Sequence, residues 1–186
     1  MQFTTAFVAS AAALTASALP QSLSTPIPEG SEFGVITIRS GSEIQNAAVQ
    51  AARSSLLVGA KSQNASCDAE TNSATFYIKD EELHLYAASA TPQTIFVDRS
   101  GMGMGKIGYT TGAEPLGKNW ETKGWTLDNN ELKFKDTGIQ ACPGSIDGSW
   151  SIWLQGVDKP GWNENCTGVT GAAIKADSPI GCLYTE

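Results

Sequence analysis

Apolar and polar residues alternate with a period of two between Trp125 and Phe134. A two-residue turn at Asn129-Asn130 would place Leu127 opposite Leu132, and Trp125 opposite Phe134, on one side of a ribbon. The polar residues of the stretch then fall on the other side. Asparagine tolerates the positive φ that such a tight turn requires. The pattern therefore predicts an antiparallel hairpin with one buried face.

An earlier stretch of the chain follows the same plan. Its apolar positions surround a turn at Asp80-Glu81 and are Phe76, Ile78, Leu83 and Leu85. A weaker echo occurs near the end of the chain, at Ile174, Ala176, Gly181 and Leu183. Three such hairpins would form a degenerate β-trefoil-like repeat.

Other β-branched or apolar stretches predict further strands at residues 33–39, 91–99 and 149–155. Residues 43–59 are the one place where helix and strand compete, because an alanine-rich composition favours helix. A turn at Ser54-Ser55 followed by an apolar run favours two strands instead. We predict an all-β fold, a single antiparallel β-sandwich or a small barrel built from hairpins. The trefoil-like repeat is the alternative.

The N-terminal residues predict a secreted protein. Residues 1–18 are mostly small and apolar and end in Ala16-Ser17-Ala18, which fits the small-x-small rule of signal-peptide cleavage. A membrane anchor is the rival interpretation, but this run is too short and too rich in alanine and serine. Residues 19–32 contain prolines and serines and are predicted to be an extended leader. Residues 33–186 then form a single disulfide-bonded β domain.

The charge of the chain limits its partners. With 12 basic and 19 acidic residues, the formal net charge is −7. Such a balance disfavours nucleic acid and anionic membranes as partners. The polar C-terminal residues also disfavour a glycolipid anchor. We therefore expect no nucleic-acid partner and no membrane anchor.

The chain has 4 cysteines, Cys67, Cys142, Cys166 and Cys182. In an oxidising compartment they most simply form two disulfides, and their spacing permits three pairings. We favour Cys67 with Cys142 and Cys166 with Cys182. A zinc site is the rival interpretation, but the chain has no CxxC pair and only 1 histidine. We predict no metal-binding residue.

Catalytic signatures are weak. His84 would lie on the polar face of its hairpin opposite Tyr77, a surface position, and no GxSxG motif accompanies it, which argues against a Ser-His-Asp triad. A secreted glycosidase is a weaker alternative, since acidic residues could supply a pair of carboxylates. The candidates are Asp80, Glu82, Asp147, Asp158 and Glu164. We predict that the chain is not an enzyme and has no catalytic residue.

A formal GxGxxG pattern occurs at Gly103, Gly105 and Gly108. The residues after it cannot open a helix, because residues 109–115 contain glycine, proline and two threonines in succession. Without a helix N-terminus there is no dipole to hold a pyrophosphate. The glycines predict a flexible hairpin loop, and we predict no cofactor and no cofactor-binding residue.

Aromatic side chains and two glycosylation motifs remain as candidate sites. Trp162, Trp153 and Tyr109 are candidates for stacking on sugar rings, and Trp162, in a loop, is the best candidate for an exposed ring. The alternative is that most of these rings fill the core. Asn64 and Asn165 begin Asn-x-Ser/Thr motifs in predicted loops and are candidate N-glycan sites.

Several short motifs, taken together with the signal peptide, resemble the PhiA family. They are Arg39-Ser40-Gly41-Ser42, Leu57-Val58-Gly59 before Cys67, Gln93-Thr94-Ile95-Phe96-Val97-Asp98 and Ala141-Cys142-Pro143. Family members often have proline after Ser-Gly-Ser and histidine two residues later, where this chain has Glu43 and Gln45. The resemblance spans most of the mature chain.

The resemblance implies a function that the residues alone do not. PhiA proteins are small secreted cell-wall proteins of filamentous ascomycete fungi, named for a role in phialide and conidium development, and some are allergens. It therefore implies a structural wall protein of asexual sporulation, with wall polysaccharide or other wall proteins as partners. A non-catalytic carbohydrate-binding wall module is the alternative. The resemblance carries over no catalytic residue.

Overall fold

The computed structural model describes residues 25–87 and 89–186. The predicted signal peptide and the first part of the leader lie outside these residues. The strands are β1 Phe33–Ile38, β2 Ala47–Ala52, β3 Ser55–Val58, β4 Ser66–Cys67, β5 Thr75–Lys79, β6 Glu82–Leu85, β7 Gln93–Asp98, β8 Lys106–Thr111, β9 Trp120–Glu121, β10 Trp125–Asp128, β11 Glu131–Phe134, β12 Ile139–Cys142, β13 Trp150–Leu154, β14 Thr167–Lys175 and β15 Cys182–Leu183. Two short 3-10 turns cover Ile146–Gly148 and Pro160–Trp162.

The strands close into an antiparallel barrel of nine strands. β1 pairs with β14 and β5, and β14 continues through β12 to β13. β13 meets β3 and β8, and the circuit returns to β5 through β7 and β6. The all-β prediction is confirmed. Neither the sandwich nor the trefoil form of that prediction is confirmed.

Both predicted hairpins form with the predicted register. Trp125 lies opposite Phe134 and Leu127 opposite Leu132. The earlier hairpin pairs Phe76 with Leu85 and Ile78 with Leu83. In each hairpin the apolar side faces the core, because burying these side chains stabilises the barrel by roughly 1.5–3 kcal/mol for each large residue.

The turns of these hairpins have positive φ at both central residues. Asn129 and Asn130 have φ of 49° and 64°, and Asp80 and Glu81 have 51° and 64°. This geometry matches the right-handed twist of the flanking strands. The third hairpin predicted near the end of the chain is wrong. Leu183 pairs with Ser66 of β4, in a separate two-stranded sheet.

Residues 43–59 contain two strands, as predicted. They are β2 and β3, joined by a turn at Arg53-Ser54, one residue before the predicted position. β2 also pairs with β1, and β3 with β13. Pairing on both sides of each strand outweighs the helix propensity of the alanines.

The barrel interior is filled by apolar side chains. Its largest buried side chains come from strands all around the barrel and include Trp125, Phe33, Phe76, Phe134, Leu83 and Ile95. Trp125 meets Phe134 edge to face with ring centroids 5.1 Å apart. One interior cavity of about 10 Å³ is lined entirely by apolar residues and Trp125. The described interior is therefore a packed core rather than a ligand chamber.

The end of the predicted leader packs against the barrel as an N-terminal strap, defined here as residues 25–32. The side chain of Asn130 holds its backbone, accepting from the Ile27 N–H at 2.9 Å and donating to the Thr25 carbonyl at 3.1 Å. The Gly30 N–H donates to the Ile78 carbonyl near the end of β5. The strap has no regular secondary structure, as its prolines predict.

The other end of the chain forms a C-terminal tail, defined here as residues 181–186. Gln93, fully buried on β7, accepts from the Tyr184 N–H and donates to the Tyr184 carbonyl, both at 2.9 Å. The Thr75 N–H, at the start of β5, donates to the Tyr184 hydroxyl at 3.2 Å. The tail is thus fixed within the fold by paired backbone groups.

Candidate functional site

The structure pairs the cysteines differently from the pairing that we favoured. Cys67 is bonded to Cys182 and Cys142 to Cys166, and no described cysteine is free. The favoured pairing is therefore wrong, although the prediction of two disulfides is confirmed. Residue spacing did not predict this pairing because β15 brings Cys182 opposite Cys67, with Cα atoms 4.0 Å apart. A two-strand pairing between distant segments leaves no mark in the sequence.

Trp162 is the most exposed aromatic side chain among the described residues. It lies in the Trp162 loop, defined as residues 156–166, and 83% of its surface is accessible. Gly161 and Trp162 both have positive φ, 57° and 64°. A bulky residue rarely adopts this backbone conformation, which costs of order 1 kcal/mol or more. The fold therefore holds this ring in solvent at a conformational cost.

The Trp162 loop is anchored at both sides of that ring. The Trp162 N–H donates to the Lys159 carbonyl and the Asn163 N–H to the Pro160 carbonyl, each at 3.1 Å. Cys166, at the end of the loop, is bonded to Cys142 of β12. These contacts give the exposed indole a fixed base.

Trp153 lies beneath the same loop. A Cβ added to Gly161 would come within 2.5 Å of the Trp153 ring, so the loop backbone covers that part of the indole. The Trp153 indole N–H donates to the Ser151 hydroxyl at 2.9 Å. Trp153 is half-buried and supports the loop that carries Trp162. The structure brings these two predicted stacking residues into one region.

Tyr109 lies away from Trp153 and Trp162, and the prediction that it is an exposed stacking residue is wrong. Only 1% of its surface is accessible. Its hydroxyl donates to the Thr185 carbonyl of the C-terminal tail, and burial raises the pKa of that hydroxyl above its ordinary value. β8 is covered on both faces, which the sequence, with its neighbouring glycines, did not indicate.

One aromatic pair was not predicted. Phe96 and Trp120 stack in parallel with centroids 3.7 Å apart and an interplanar angle of 1°. A Cβ added to Gly117 would lie 2.7–2.9 Å from three atoms of the same indole, so glycine backbone covers its other face. Both faces of Trp120 are occupied, and the ring is unavailable for stacking on a sugar.

A charged network lies beside that pair. Glu121 of β9 accepts from the Arg99 guanidinium through both carboxylate oxygens, at 2.7 and 2.8 Å, and also from Lys135. These hydrogen bonds lower the pKa of Glu121 to about 2. A carboxylate held ionised in this way stabilises its surroundings but is a poor proton donor near neutral pH.

His84 is more enclosed than predicted. It lies opposite Tyr77, as predicted, and their rings stack with centroids 5.0 Å apart. Its Nδ1 is 3.1 Å from the Thr94 hydroxyl oxygen, and burial lowers its pKa. The side chain is 14% accessible, so the predicted surface position is wrong. The cross-strand partner on β7, which the sequence does not specify, shields the ring.

The candidate acidic residues are dispersed over the described elements. Asp80 is in a hairpin turn, Glu82 is on β6 and Asp147 is in a 3-10 turn. Asp158 and Glu164 belong to the Trp162 loop, where Glu164 accepts from Lys159 at 2.9 Å. Within residues 25–87 and 89–186, no group of three or more histidine, cysteine or acidic side chains is placed to hold a metal ion.

Comparison with known proteins decides the family. The family model of PhiA-like secreted proteins matches residues 33–185. A protein named cell wall protein phiA from Aspergillus fumigatus is 50% identical over 189 residues, covering 100% of both chains. Proteins of the same name from Aspergillus niger and Emericella nidulans are 52% and 45% identical, covering 94% and 95% of this chain and 95% and 98% of their own. This chain belongs to the PhiA family.

The PhiA family is one of secreted proteins, and this chain is accordingly secreted and located in the cell wall. No solved structure matches the chain. In the described part of the chain, no helix has the length and apolar character that crossing a membrane requires.

The two positions at which this PhiA chain departs from the common pattern both make hydrogen bonds. Glu43 accepts from the indole N–H of Trp150 at 2.7 Å. Gln45 accepts from the Arg39 N–H at 2.6 Å, closing the loop after β1. Both side chains therefore have hydrogen-bond partners in this fold.

Proposed function

We propose that this chain is a non-catalytic structural protein of a filamentous fungal wall that acts in phialide and conidium development. The observation that carries the proposal is the likeness, along almost all of both chains, to proteins named cell wall protein phiA. Wall polysaccharide or other wall proteins are its proposed partners. Its proposed organisation is a cleaved signal peptide at residues 1–18, a leader at 19–32 and one β domain at 33–186.

The barrel has features that suit a durable component of an extracellular wall. Nine strands of its main sheet close into a barrel, which leaves few open edges at which strands of other molecules add. Two disulfides join segments that are distant in the chain. These features support a persistent structural role outside the cell.

A second candidate function is carbohydrate binding, and the exposure of Trp162 favours it. A flat aromatic ring offers an apolar face to the C–H face of a pyranose. Trp162 lies in solvent on a strained backbone with an anchored base. Such strain is retained mainly where it serves a purpose. We propose Trp162 as the stacking residue and Trp153 as its support.

A wall-binding assay tests both functions. The purified secreted protein is incubated with isolated fungal walls, chitin and β-glucan, and both its depletion from solution and the release of soluble sugar are measured. The structural proposal predicts depletion without sugar release. Release of sugar would overturn it and point to the acidic residues. In the fungus, deletion of the gene is expected to reduce phialide and conidium formation.

Variants at Trp162 isolate the stacking contribution. Trp162→Asn removes the ring and keeps a residue that tolerates positive φ. By analogy with bases stacked on aromatic side chains, we expect retention on polysaccharide to weaken by about 5- to 50-fold. Trp162→Phe should retain most of the binding, and Met102→Ala, at another exposed apolar side chain, should retain all of it. Unchanged retention of Trp162→Asn would remove the carbohydrate-binding candidate.

N-glycans at Asn64 and Asn165 are also proposed. Both side chains are exposed, which leaves them accessible after folding. Cys166, the middle residue of the second motif, is bonded to Cys142, which constrains the backbone next to Asn165. Mass spectrometry of the secreted protein before and after enzymatic deglycosylation, with Asn64→Gln and Asn165→Gln as controls, tests both sites. An unshifted mass at either asparagine removes that site.

A further inference from the structure

A cavity of about 240 Å³ lies beneath the N-terminal strap, where the strap crosses the barrel. Its apolar lining comes from the strap, β1, β5 and β10 and consists of Ile27, Pro28, Phe33, Ile78, Trp125 and Leu127. A cavity of this volume has room for several water molecules. It is large enough for one small ring but not for a chain of them.

The polar lining of this strap cavity is acidic. Two exposed carboxylates, Glu29 of the strap and Glu81 of the β5–β6 turn, belong to it together with Ser31 and Thr126. None of the described lining residues is basic. The net charge of −7 adds to the same field. An anionic ligand is repelled from such a site and a cationic one is attracted.

Trp125 also lines the strap cavity. Only 1% of its surface is accessible, and its buried indole N–H has no hydrogen-bond acceptor within the described residues. Buried indole N–H groups usually find a partner, because leaving one unpaired costs roughly 1–3 kcal/mol. Because Trp125 lines the cavity, its indole N–H signal reports on changes at the cavity wall.

We propose that the strap cavity binds an ammonium-bearing pyranose, that is, one deacetylated amino-sugar unit of a wall polysaccharide. The C–H face of the ring packs against the apolar lining, and the ammonium group lies between Glu29 and Glu81. The inference rests on the proposed function, since it names a polymer unit for a wall protein, but it concerns a site separate from Trp162.

The strap is suited to admit such a ligand. It is held by the side chain of Asn130, by the hydrogen bonds at Gly30 and Glu32 and by the packing of Ile27, and no disulfide ties it to the barrel. A few hydrogen bonds, each contributing roughly 1 kcal/mol net, open far more readily than a packed core. Entry of the ring therefore needs only local displacement of the strap.

Titration of the intact secreted protein tests the inference. The probes are tetramers of glucosamine, N-acetylglucosamine and glucose, followed by calorimetry and by the NMR signal of the Trp125 indole N–H. We expect the glucosamine tetramer to bind at least tenfold more tightly than the other two and to shift the Trp125 signal. Equal binding of the three, or a shift confined to the Trp162 indole, would overturn the inference.

Charge variants separate this site from the rest of the protein. Glu29→Gln with Glu81→Gln should weaken glucosamine binding by about tenfold, since each partly exposed ion pair contributes a few-fold. Glu164→Gln makes the same kind of charge change in the Trp162 loop and should leave binding unchanged. Equal affinity of the double variant and the unaltered protein contradicts the inference. Retention of the double variant on whole walls would leave the proposed function standing, whereas failure of the unaltered protein to bind walls contradicts that function.

Discussion

The two chain termini contact the barrel at opposite ends of β5, and they are secured in different ways. At the start of β5 the C-terminal tail is tied covalently through Cys67–Cys182, and its Tyr184 is 3% accessible. At the end of β5 the N-terminal strap is held by hydrogen bonds and by the packing of Ile27 against the core, without a disulfide, and leaves a cavity beneath it. The same barrel thus has one sealed region and one that is lightly covered.

The difference indicates which region contributes most to the unfolding free energy and which region can open locally. Gln93, bonded to both backbone polar groups of Tyr184, makes the tail part of the cooperative core. The strap adds only exposed or half-buried residues to the molecule. Segments with few buried contacts open at low free energy and are the usual sites of ligand entry. We therefore expect the tail to control unfolding and the strap to control binding.

The largest effect is expected from removing the tail disulfide. Cys67→Ser with Cys182→Ser opens a sequence separation of 115, for which the chain-entropy model gives a loss of about 4.8 kcal/mol in unfolding free energy. Cys142→Ser with Cys166→Ser opens a separation of 24 and should cost about 3.4 kcal/mol. Urea denaturation measures both. A larger loss for the second pair would contradict the assignment of the tail as the main stabilising tie.

The next effect concerns the buried amide that binds the tail. Gln93→Met keeps the side-chain volume but leaves the Tyr184 backbone groups unpaired, and we expect a loss of about 2–3 kcal/mol. Gln50, also buried, bonds Ala60 N–H and carbonyl in the same way and offers a matched control. Gln50→Met should cost a similar amount but leave the Tyr184 amide protected from hydrogen exchange. Loss of Tyr184 protection in both variants would mean that Gln93 has no special role.

The third-largest effect is expected at alkaline pH, which should destabilise the contacts of the C-terminal tail. Burial raises the pKa of both Tyr109 and Tyr184 above the ordinary value of about 10. Above pH 10 these two tyrosines lose their protons more readily in the unfolded chain than in the folded one. Their contribution to the unfolding free energy is therefore complete below pH 10 and is lost as the pH rises further. Tyr109→Phe should flatten this loss, with Tyr86→Phe as the control. Identical alkaline denaturation profiles for the three proteins would contradict it.

The smallest effect on global stability is expected at the strap. Asn130→Gly keeps a turn residue suited to positive φ but removes the side chain that holds the strap, so unfolding free energy should change by less than about 1 kcal/mol. The Ile27 amide, whose acceptor is the Asn130 side chain, should lose its hydrogen-exchange protection. Asn129→Gly alters the same turn without touching the strap and should leave that amide protected. Equal protection in both variants would show that Asn130 does not hold the strap.

Sequence reasoning succeeded where the information is local. The hairpins around Asn129-Asn130 and Asp80-Glu81 could be predicted with their register because a two-residue turn and an alternating pattern fix each other. Exposure of Trp162 followed from the proline and glycine before it. These features depend on residues that are close in the chain.

Sequence reasoning failed where segments that are distant in the chain contact each other. Pairing of β15 with β4 decides the disulfides, and the cover on both faces of β8 decides the burial of Tyr109. Neither is encoded in a local pattern. Asn130 reads as an ordinary turn residue, and only the folded chain shows that its amide holds the strap more than a hundred positions earlier, at a separation of 103. Closure of the barrel has the same long-range origin.

Hydrogen exchange of the secreted protein, with and without the glucosamine tetramer, tests the contrast between the two regions most directly. The Tyr184 and Ser54 amides, which lie in the tail contacts, should exchange only through global unfolding in both conditions. The Ile27 and Gly30 amides should exchange through local opening and gain protection when the ligand binds. Uniform protection of all four amides, or no change at the strap on adding the ligand, would contradict the account.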